Sequence, residues 1–98
     1  MPKAYVVANI EVHDPELNAR YRELARPTVE AHGGRYIVRG PKLENWEGDL
    51  GLNRLVILEF PSVEAAREWY NCAEYREVMK LRHGSAVSHL VLAEGFDG

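Results

Sequence analysis

The chain has 98 residues, of which 46% are hydrophobic and 28% charged; this composition is typical of one globular domain over residues 1–98 and excludes a disordered chain. A net charge of −3, without any cluster of basic residues, argues against nucleic-acid binding. Cys72 is the single cysteine, and no apolar run approaches the roughly 20 residues that span a bilayer. We therefore expect a cytoplasmic protein without disulfides, membrane segments or a metal site.

A strand and a long helix are the first predicted elements. Apolar and polar residues alternate over Lys3–Val12, which predicts a strand. Asp14 and Pro15 are typical of a helix start, and Gly33-Gly34 of its end. Pro27 should kink or restart this helix, because proline has no amide N–H to donate. The predicted buried stripe of the helix consists of Leu17, Tyr21, Leu24, Ala25, Thr28 and His32.

Two further strands follow, joined by a long loop. Arg35–Arg39 reads as a short strand that ends at Gly40-Pro41. Residues 41–53 carry turn residues without a sustained period, which predicts a loop. Residues 54–60, RLVILEF, form a buried strand, and Ser62 is the expected N-cap of the next helix.

The last predicted elements are a helix in two pieces and a fourth strand. Residues 63–73 have helical spacing, a break falls within 71–74, and a short helix ends at Gly84-Ser85. Residues 87–94 then alternate as a strand. The order β-α-β-β-α-β predicts a ferredoxin-like α+β fold, with a four-stranded antiparallel sheet covered by helices on one face.

The other face of this sheet is too apolar to be left in water. We expect it to carry five aliphatic residues, namely Val7, Ile37, Leu55, Ile57 and Val91. A second copy of the chain, packed sheet to sheet, would cover them. The sequence therefore predicts a homodimer, a dimeric α+β barrel, whose two sheets partly enclose a cavity.

Five polar residues are predicted on the same face, and they form the candidate site: Asn9, Glu11, Arg39, Glu59 and His89. If the protein is an enzyme, Glu59 or His89 would act as general base or acid, and Arg39 would hold a carboxylate or enolate oxygen of a small organic molecule. Asn9 would orient that ligand. The alternative is a non-catalytic dimer in which an Arg39–Glu59 ion pair only sets the register of the two sheets.

Other residues are predicted to contact the ligand less directly. Tyr5 lies beside the candidate site on the same face, and Tyr5 and Glu11 are both expected to bind the ligand. Trp69 has the spacing of a core residue, with the wall of a pocket as a second interpretation. Trp46, in the long loop, is expected as a lid over the cavity or as a dimer contact.

No cofactor is predicted. The histidines at 13, 32, 83 and 89 lack the spacing of a zinc site. Haem is a lesser alternative, in which His89 would be the axial ligand.

Several segments resemble a family of bacterial proteins of about a hundred residues. They are the Asp14-Pro15 opening with Tyr21, GGRYIVRG at 33–40, Glu47-Gly48, RLVILEFPS at 54–62, A-x-x-W-Y-x-x-x-x-Y at 66–75 and VLAEG at 91–95. The family is known only as a domain of unknown function, DUF1330, and is similar to the dimeric α+β barrels. That resemblance implies the fold and the dimer, but no reaction, because the same fold supports many chemistries.

Overall fold

The computed structural model describes residues 2–96. Its elements, in chain order, are β1 (Ala4–Val12), α1 (Pro15–Ala31), β2 (Arg35–Arg39), β3 (Leu55–Phe60), α2 (Val63–Asn71), α3 (Ala73–Ser85) and β4 (Ala86–Glu94). The strands form one sheet in the order β2-β3-β1-β4, and every neighbouring pair is antiparallel. This arrangement confirms the predicted ferredoxin-like α+β fold. No helix within residues 2–96 has the length and apolar character needed to cross a bilayer.

The predicted helix starts are confirmed by their capping bonds. Leu17 N donates to Asp14 Oδ1 at 3.2 Å, and Ala65 N donates to Ser62 Oγ at 3.1 Å. Each bond satisfies one amide that has no partner within its own helix. The predicted break falls at Cys72, whose extended backbone separates α2 from α3. α1 is continuous from Pro15 to Ala31, so of the two predicted effects of Pro27, a kink or a restart, the restart does not occur.

The buried stripe of α1 differs from the predicted one. Asn18, Ala25 and Val29 are its buried residues, whereas Leu24 is 42% exposed. A polar residue such as Asn18 is buried at low cost only when it has a hydrogen-bond partner. Asn18 Nδ2 donates to Ser85 Oγ at 3.2 Å, and this bond links α1 to the end of α3.

The core lies between the sheet and the helices. Alternate strand residues such as Val6, Leu58 and Phe60 face Trp69 and Tyr75 of the helix layer. Trp69 is 1% exposed, and its indole N–H donates to Thr28 Oγ1 at 3.1 Å, which satisfies the one polar atom of its ring.

A β-bulge in β2 changes which residues of that strand face the helices. Arg35 pairs with Glu59 and Tyr36 with Leu58, but the register then shifts at Ile37. After the shift Arg39 pairs with Val56, a buried residue on the helix side of the sheet. Because one extra residue reverses the alternation of side chains, Arg39 moves to the helix side of the sheet.

The face of the sheet away from the helices is uncovered in the single chain. The molecule is a slab whose Cα atoms extend 37 × 36 × 16 Å, which corresponds to one sheet layer and one helix layer. Ile57, Val7 and Val91 are cross-strand partners and form an apolar row on this open face. Val91 is 61% exposed.

Candidate functional site

Glu59 lies on the open face, but its partner is not the predicted one. Arg35 Nε donates to Glu59 Oε1 at 2.9 Å, and Lys3 Nζ lies 3.5 Å from the same oxygen. The hydrogen bond from Arg35 lowers the pKa of Glu59, and burial opposes this only in part. The predicted Arg39–Glu59 pair was wrong, because the bulge at Ile37 places Arg39 on the opposite side of the sheet.

The other predicted residues of the open face do not gather around Glu59. His89 pairs with Asn9 across β1 and β4, whereas Glu59 pairs with Tyr5. Asn9 and Tyr5 are four residues apart on one strand, which separates His89 from Glu59 by about 13 Å along the sheet. Within residues 2–96, His89 and Glu59 are therefore not parts of one compact acid–base site.

Asn9 and Glu11 also have surroundings that differ from those predicted. The backbone N–H of Asn53 donates a hydrogen bond to Asn9 Oδ1 at 2.7 Å. The Asn9 side chain therefore fixes the end of the long loop. Glu11 is exposed and pairs across the sheet with Val87.

The two tryptophans are in different environments. Trp46 is 88% exposed in the loop between β2 and β3 and does not line the cavity described below. Trp69 is a core residue and also part of that cavity's wall, so both interpretations of Trp69 apply.

A small cavity of about 40 Å³ lies between the sheet and the helices. Its walls combine aliphatic strand residues with polar and aromatic residues of the helices and of β2. They are Val6, Ala8, Ile10, Asn18, Tyr21, Arg22, Tyr36, Arg39, Arg54, Val56, Leu58, Trp69, Arg82 and Leu90. Among these described residues there is no acid and no histidine, and four of them are arginines.

Three of these arginines, Arg22, Arg39 and Arg54, form a group that we call the rim arginines. Arg39 is exposed, and Arg22 and Arg54 are half-buried. Burial lowers the pKa of Arg54, and the positive charges of Arg22 and Arg39 lower it further, which reflects their proximity. None of the ion pairs formed within residues 2–96 includes a rim arginine.

Two of the rim arginines, Arg39 and Arg54, have a packing contact that positions them. The Arg39 guanidinium lies over the Tyr36 ring, 4.8 Å from its centroid. The Arg54 guanidinium lies against Gly40, where a Cβ atom would come within 2.7 Å of Nη1. Both contacts leave guanidinium N–H groups free to bind an anion.

Arg82 is the fourth arginine of the cavity and lies deeper. It is 3% exposed, its Nη1 donates to Ser88 Oγ, and its Nε has no hydrogen-bond partner among the described residues. Burial works to lower the pKa of Arg82, but Tyr75 and Tyr21 outweigh it and raise that pKa. Arg82 is therefore a protonated, buried cation.

Two tyrosines, Tyr21 and Tyr75, lie beside Arg82. Their hydroxyl groups are hydrogen-bonded to each other at 2.8 Å. Burial, followed by the effect of Tyr75, raises the pKa of Tyr21 far above its ordinary value. Tyr21 therefore supplies no negative charge to balance Arg82.

A second, larger groove of about 290 Å³ lies beside the cavity, between α2 and β4. Val6, Trp69 and Leu90 line both spaces and form the wall between them.

Of the eight polar or aromatic residues described in the cavity wall, sequence reasoning proposed only Arg39 and Trp69 for a site and missed Asn18, Tyr21, Arg22, Tyr36, Arg54 and Arg82. One signal was available: Arg82 falls on the same helical face as Tyr75 and Met79, and a cation on a buried stripe is unusual. Arg22 and Arg54 gave no comparable signal, since their positions depend on tertiary packing.

Comparison with solved structures supports the fold. The protein of unknown function RPA0582 from Rhodopseudomonas palustris is 21% identical, with a TM-score of 0.80 over 99% of this chain and 85% of that one. SnoaB, a cofactor-independent oxygenase from Streptomyces nogalater, is 12% identical, with a TM-score of 0.69 over 100% and 97% of the two chains. A dimeric protein of unknown function with a ferredoxin-like fold from Bacteroides fragilis is 15% identical, with a TM-score of 0.57 over 94% and 95%.

Sequence comparison gives the family. No curated protein matches the chain. A family model matches residues 3–96, which is nearly the whole sequence, and it describes a domain of unknown function. The chain therefore belongs to the DUF1330 family, as its GGRYIVRG and EFPS segments predicted.

Proposed function

We propose that this protein binds a small anionic organic molecule in the cavity between the sheet and the helices. The observation that carries the proposal is the group of rim arginines at a largely apolar cavity, without a carboxylate partner within residues 2–96. Like charges held close together destabilise a fold unless a counter-charge joins them. A bound carboxylate would supply it, and the planar guanidinium matches its two oxygens.

Binding is a better-supported activity for this cavity than acid–base catalysis. Its described lining offers no histidine, aspartate or glutamate to act as general base, and the raised pKa of Tyr21 makes this phenol a poor one. The acid–base roles predicted for Glu59 and His89 would need another site on the open face. SnoaB shows that this fold accommodates oxygenase chemistry without a cofactor, but at 12% identity its reaction is not carried over.

We also propose that the protein is a homodimer, with the open sheet faces packed together. The apolar row Ile57–Val7–Val91 supports this, because burying such a surface removes it from water. The dimeric Bacteroides fragilis protein shares the fold. In this arrangement each chain keeps its own cavity on the far side of its sheet.

Titration with a carboxylic acid and its amide tests the binding proposal. Trp69 lines the cavity and the chain contains one other tryptophan, the exposed Trp46, so the variant Trp46→Phe reports on the cavity alone. Butyrate should change the emission of Trp69 saturably, whereas butyramide should not. Arg22→Met should weaken butyrate binding by about tenfold to a hundredfold, as expected for the loss of a charged hydrogen bond.

The matched control is Arg20→Met. Arg20 is exposed on the same helix and is absent from the cavity wall. This variant loses the same charge and should bind butyrate unchanged. Butyrate and butyramide binding equally, or equal losses in the two arginine variants, would contradict the proposal.

A further inference from the structure

We infer that the ligand of the cavity is a short-chain acid with a second oxygen function, such as an oxo or hydroxy acid. Its carboxylate would bind the rim arginines, and its second oxygen would accept a hydrogen bond from Arg82. This inference rests on the proposed binding function and adds to it the class of molecule.

The hydrogen bonding of Arg82 is incomplete. A buried cation normally has a counter-ion or a full set of acceptors, since an unpaired buried donor loses its hydration without compensation. Arg82 has Ser88 Oγ at Nη1, but its Nε is buried without a partner and belongs to no ion pair within residues 2–96. An acceptor oxygen in the cavity would complete this set.

The described cavity residues around Arg82 include no carboxylate that could pair with it. Tyr21 and Tyr75 bond to each other, and burial holds the pKa of Tyr21 far above its ordinary value, so Tyr21 carries no negative charge. Asn18, which also lines the cavity, donates its Nδ2–H to Ser85 Oγ. No acid lines the cavity among the described residues, so a ligand oxygen would be the acceptor that Arg82 Nε lacks.

The volume of the cavity limits the length of the acid that it can hold. A cavity of about 40 Å³ has room for roughly three water-sized groups. A bound acid therefore places only a few heavy atoms beyond the rim, and Trp69 and Leu90 separate it from the larger groove. This favours acids of about three to five carbons over multi-ring molecules.

The affinities of three four-carbon acids distinguish the contribution of the carboxylate from that of the second oxygen. Butyrate has only the carboxylate, whereas 2-oxobutyrate and 3-hydroxybutyrate add one oxygen. In the Trp46→Phe background, at least one of the two oxygenated acids should bind about tenfold or more tightly than butyrate. Arg82→Met should reduce this advantage to about twofold or less, while Arg22→Met should weaken all three acids alike.

The outcomes distinguish this inference from the proposed function. If the three acids bind equally and depend on Arg22 but not on Arg82, the second-oxygen contact is wrong and the binding function stands. If none of them binds, both proposals fail. If octanoate binds more tightly than the four-carbon acids, the ligand extends past Trp69 and the size limit is wrong.

Two milder variants cover the case in which Arg82→Met does not fold. Arg82→Lys keeps the charge but removes Nε as a donor, and Ser88→Ala removes the contact that positions the guanidinium. Both should reduce the advantage of the oxygenated acids with little change in butyrate affinity. An undiminished advantage in both variants would overturn the role of Arg82.

Discussion

Glu59 and Arg82 are both ionisable residues with little exposure, yet their surroundings differ. The Glu59 side chain is 13% exposed and has two cationic partners, Arg35 and Lys3. Arg82 is 3% exposed and has no anionic partner within residues 2–96. A residue with partners stabilises the fold, whereas a buried charge without them costs stability and is often retained for function.

The pH dependence of stability should reveal the role of Glu59. Its pKa is lowered from the ordinary value of 4.5 in the folded chain, so the carboxylate stabilises the fold above that value. This stabilisation is lost as the pH falls through the lowered pKa. The melting temperature of Glu59→Gln should therefore lie below that of the native protein at neutral pH, and the difference should shrink under acidic conditions.

Glu77→Gln is the control for this measurement. The Glu77 side chain is 76% exposed, and within residues 2–96 its one ionic partner is Lys80, one turn away on α3. Exposed ion pairs of this kind contribute little to the stability of a fold. The melting temperature of Glu77→Gln should therefore stay close to that of the native protein at every pH measured. A Glu59→Gln difference that does not depend on pH would contradict the account of the Arg35–Glu59 pair.

At the scale of elements, sequence patterns predicted the strands and helices well because their signals are local. Alternation, capping residues and glycines identified all the elements in the described part of the chain, including the break near Cys72. The bulge at Ile37 depends on how β2 pairs with β3, and nothing in RYIVR indicates it. This one irregularity moved Arg39 to the cavity and removed it from Glu59.

Leu24 was wrongly included in the predicted stripe of α1, and Asn18 was missed, for a related reason. Leu24 is apolar and was expected inside, but the orientation of the helix buries Asn18 through its bond to Ser85. A helix orientation that depends on a distant hydrogen bond cannot be derived from the period alone. For the same reason Arg22 was not expected at the cavity.

Gly34, between α1 and β2, offers a test at this scale. A Cβ atom there would lie 2.6 Å from the Phe60 ring and 2.8 Å from Val29 Cγ1. Gly34→Ala should therefore lower the free energy of unfolding by about 1–3 kcal/mol, the usual cost of overpacking a core. Chemical denaturation measures this directly.

Gly84→Ala is the matched comparison. Gly84 lies within α3, and its added Cβ would meet only Leu17 Cδ2, at 3.4 Å. Alanine is the better helix former by about 0.5–1 kcal/mol, so this variant should be at least as stable as the native chain. If the two variants have the same stability, the described packing around Gly34 is wrong.

At the scale of the whole molecule, the proposed dimer should depend on the centre of the open face. Light scattering should give twice the chain mass of 11.1 kDa. Val7 lies between Ile57 and Val91 in the apolar row, so Val7→Lys should produce monomers by placing a charge in the interface. Leu24→Lys, on the outer side of the helix layer, should remain dimeric. A native protein that is monomeric at tens of micromolar would contradict the dimer.

The central claim is that an acid binds inside the cavity, and the side-chain N–H signals of its residues test this most directly. In a 15N-labelled sample, the Arg82 Nε–H signal, assigned by its loss in Arg82→Lys, should move saturably as 2-oxobutyrate is added. The Trp69 indole signal should follow with the same dissociation constant, while Arg67 and Arg76, which do not line the cavity, should stay in place. Unchanged Arg82 and Trp69 signals at millimolar acid, with shifts only at exposed arginines, would show that the cavity is not an anion site.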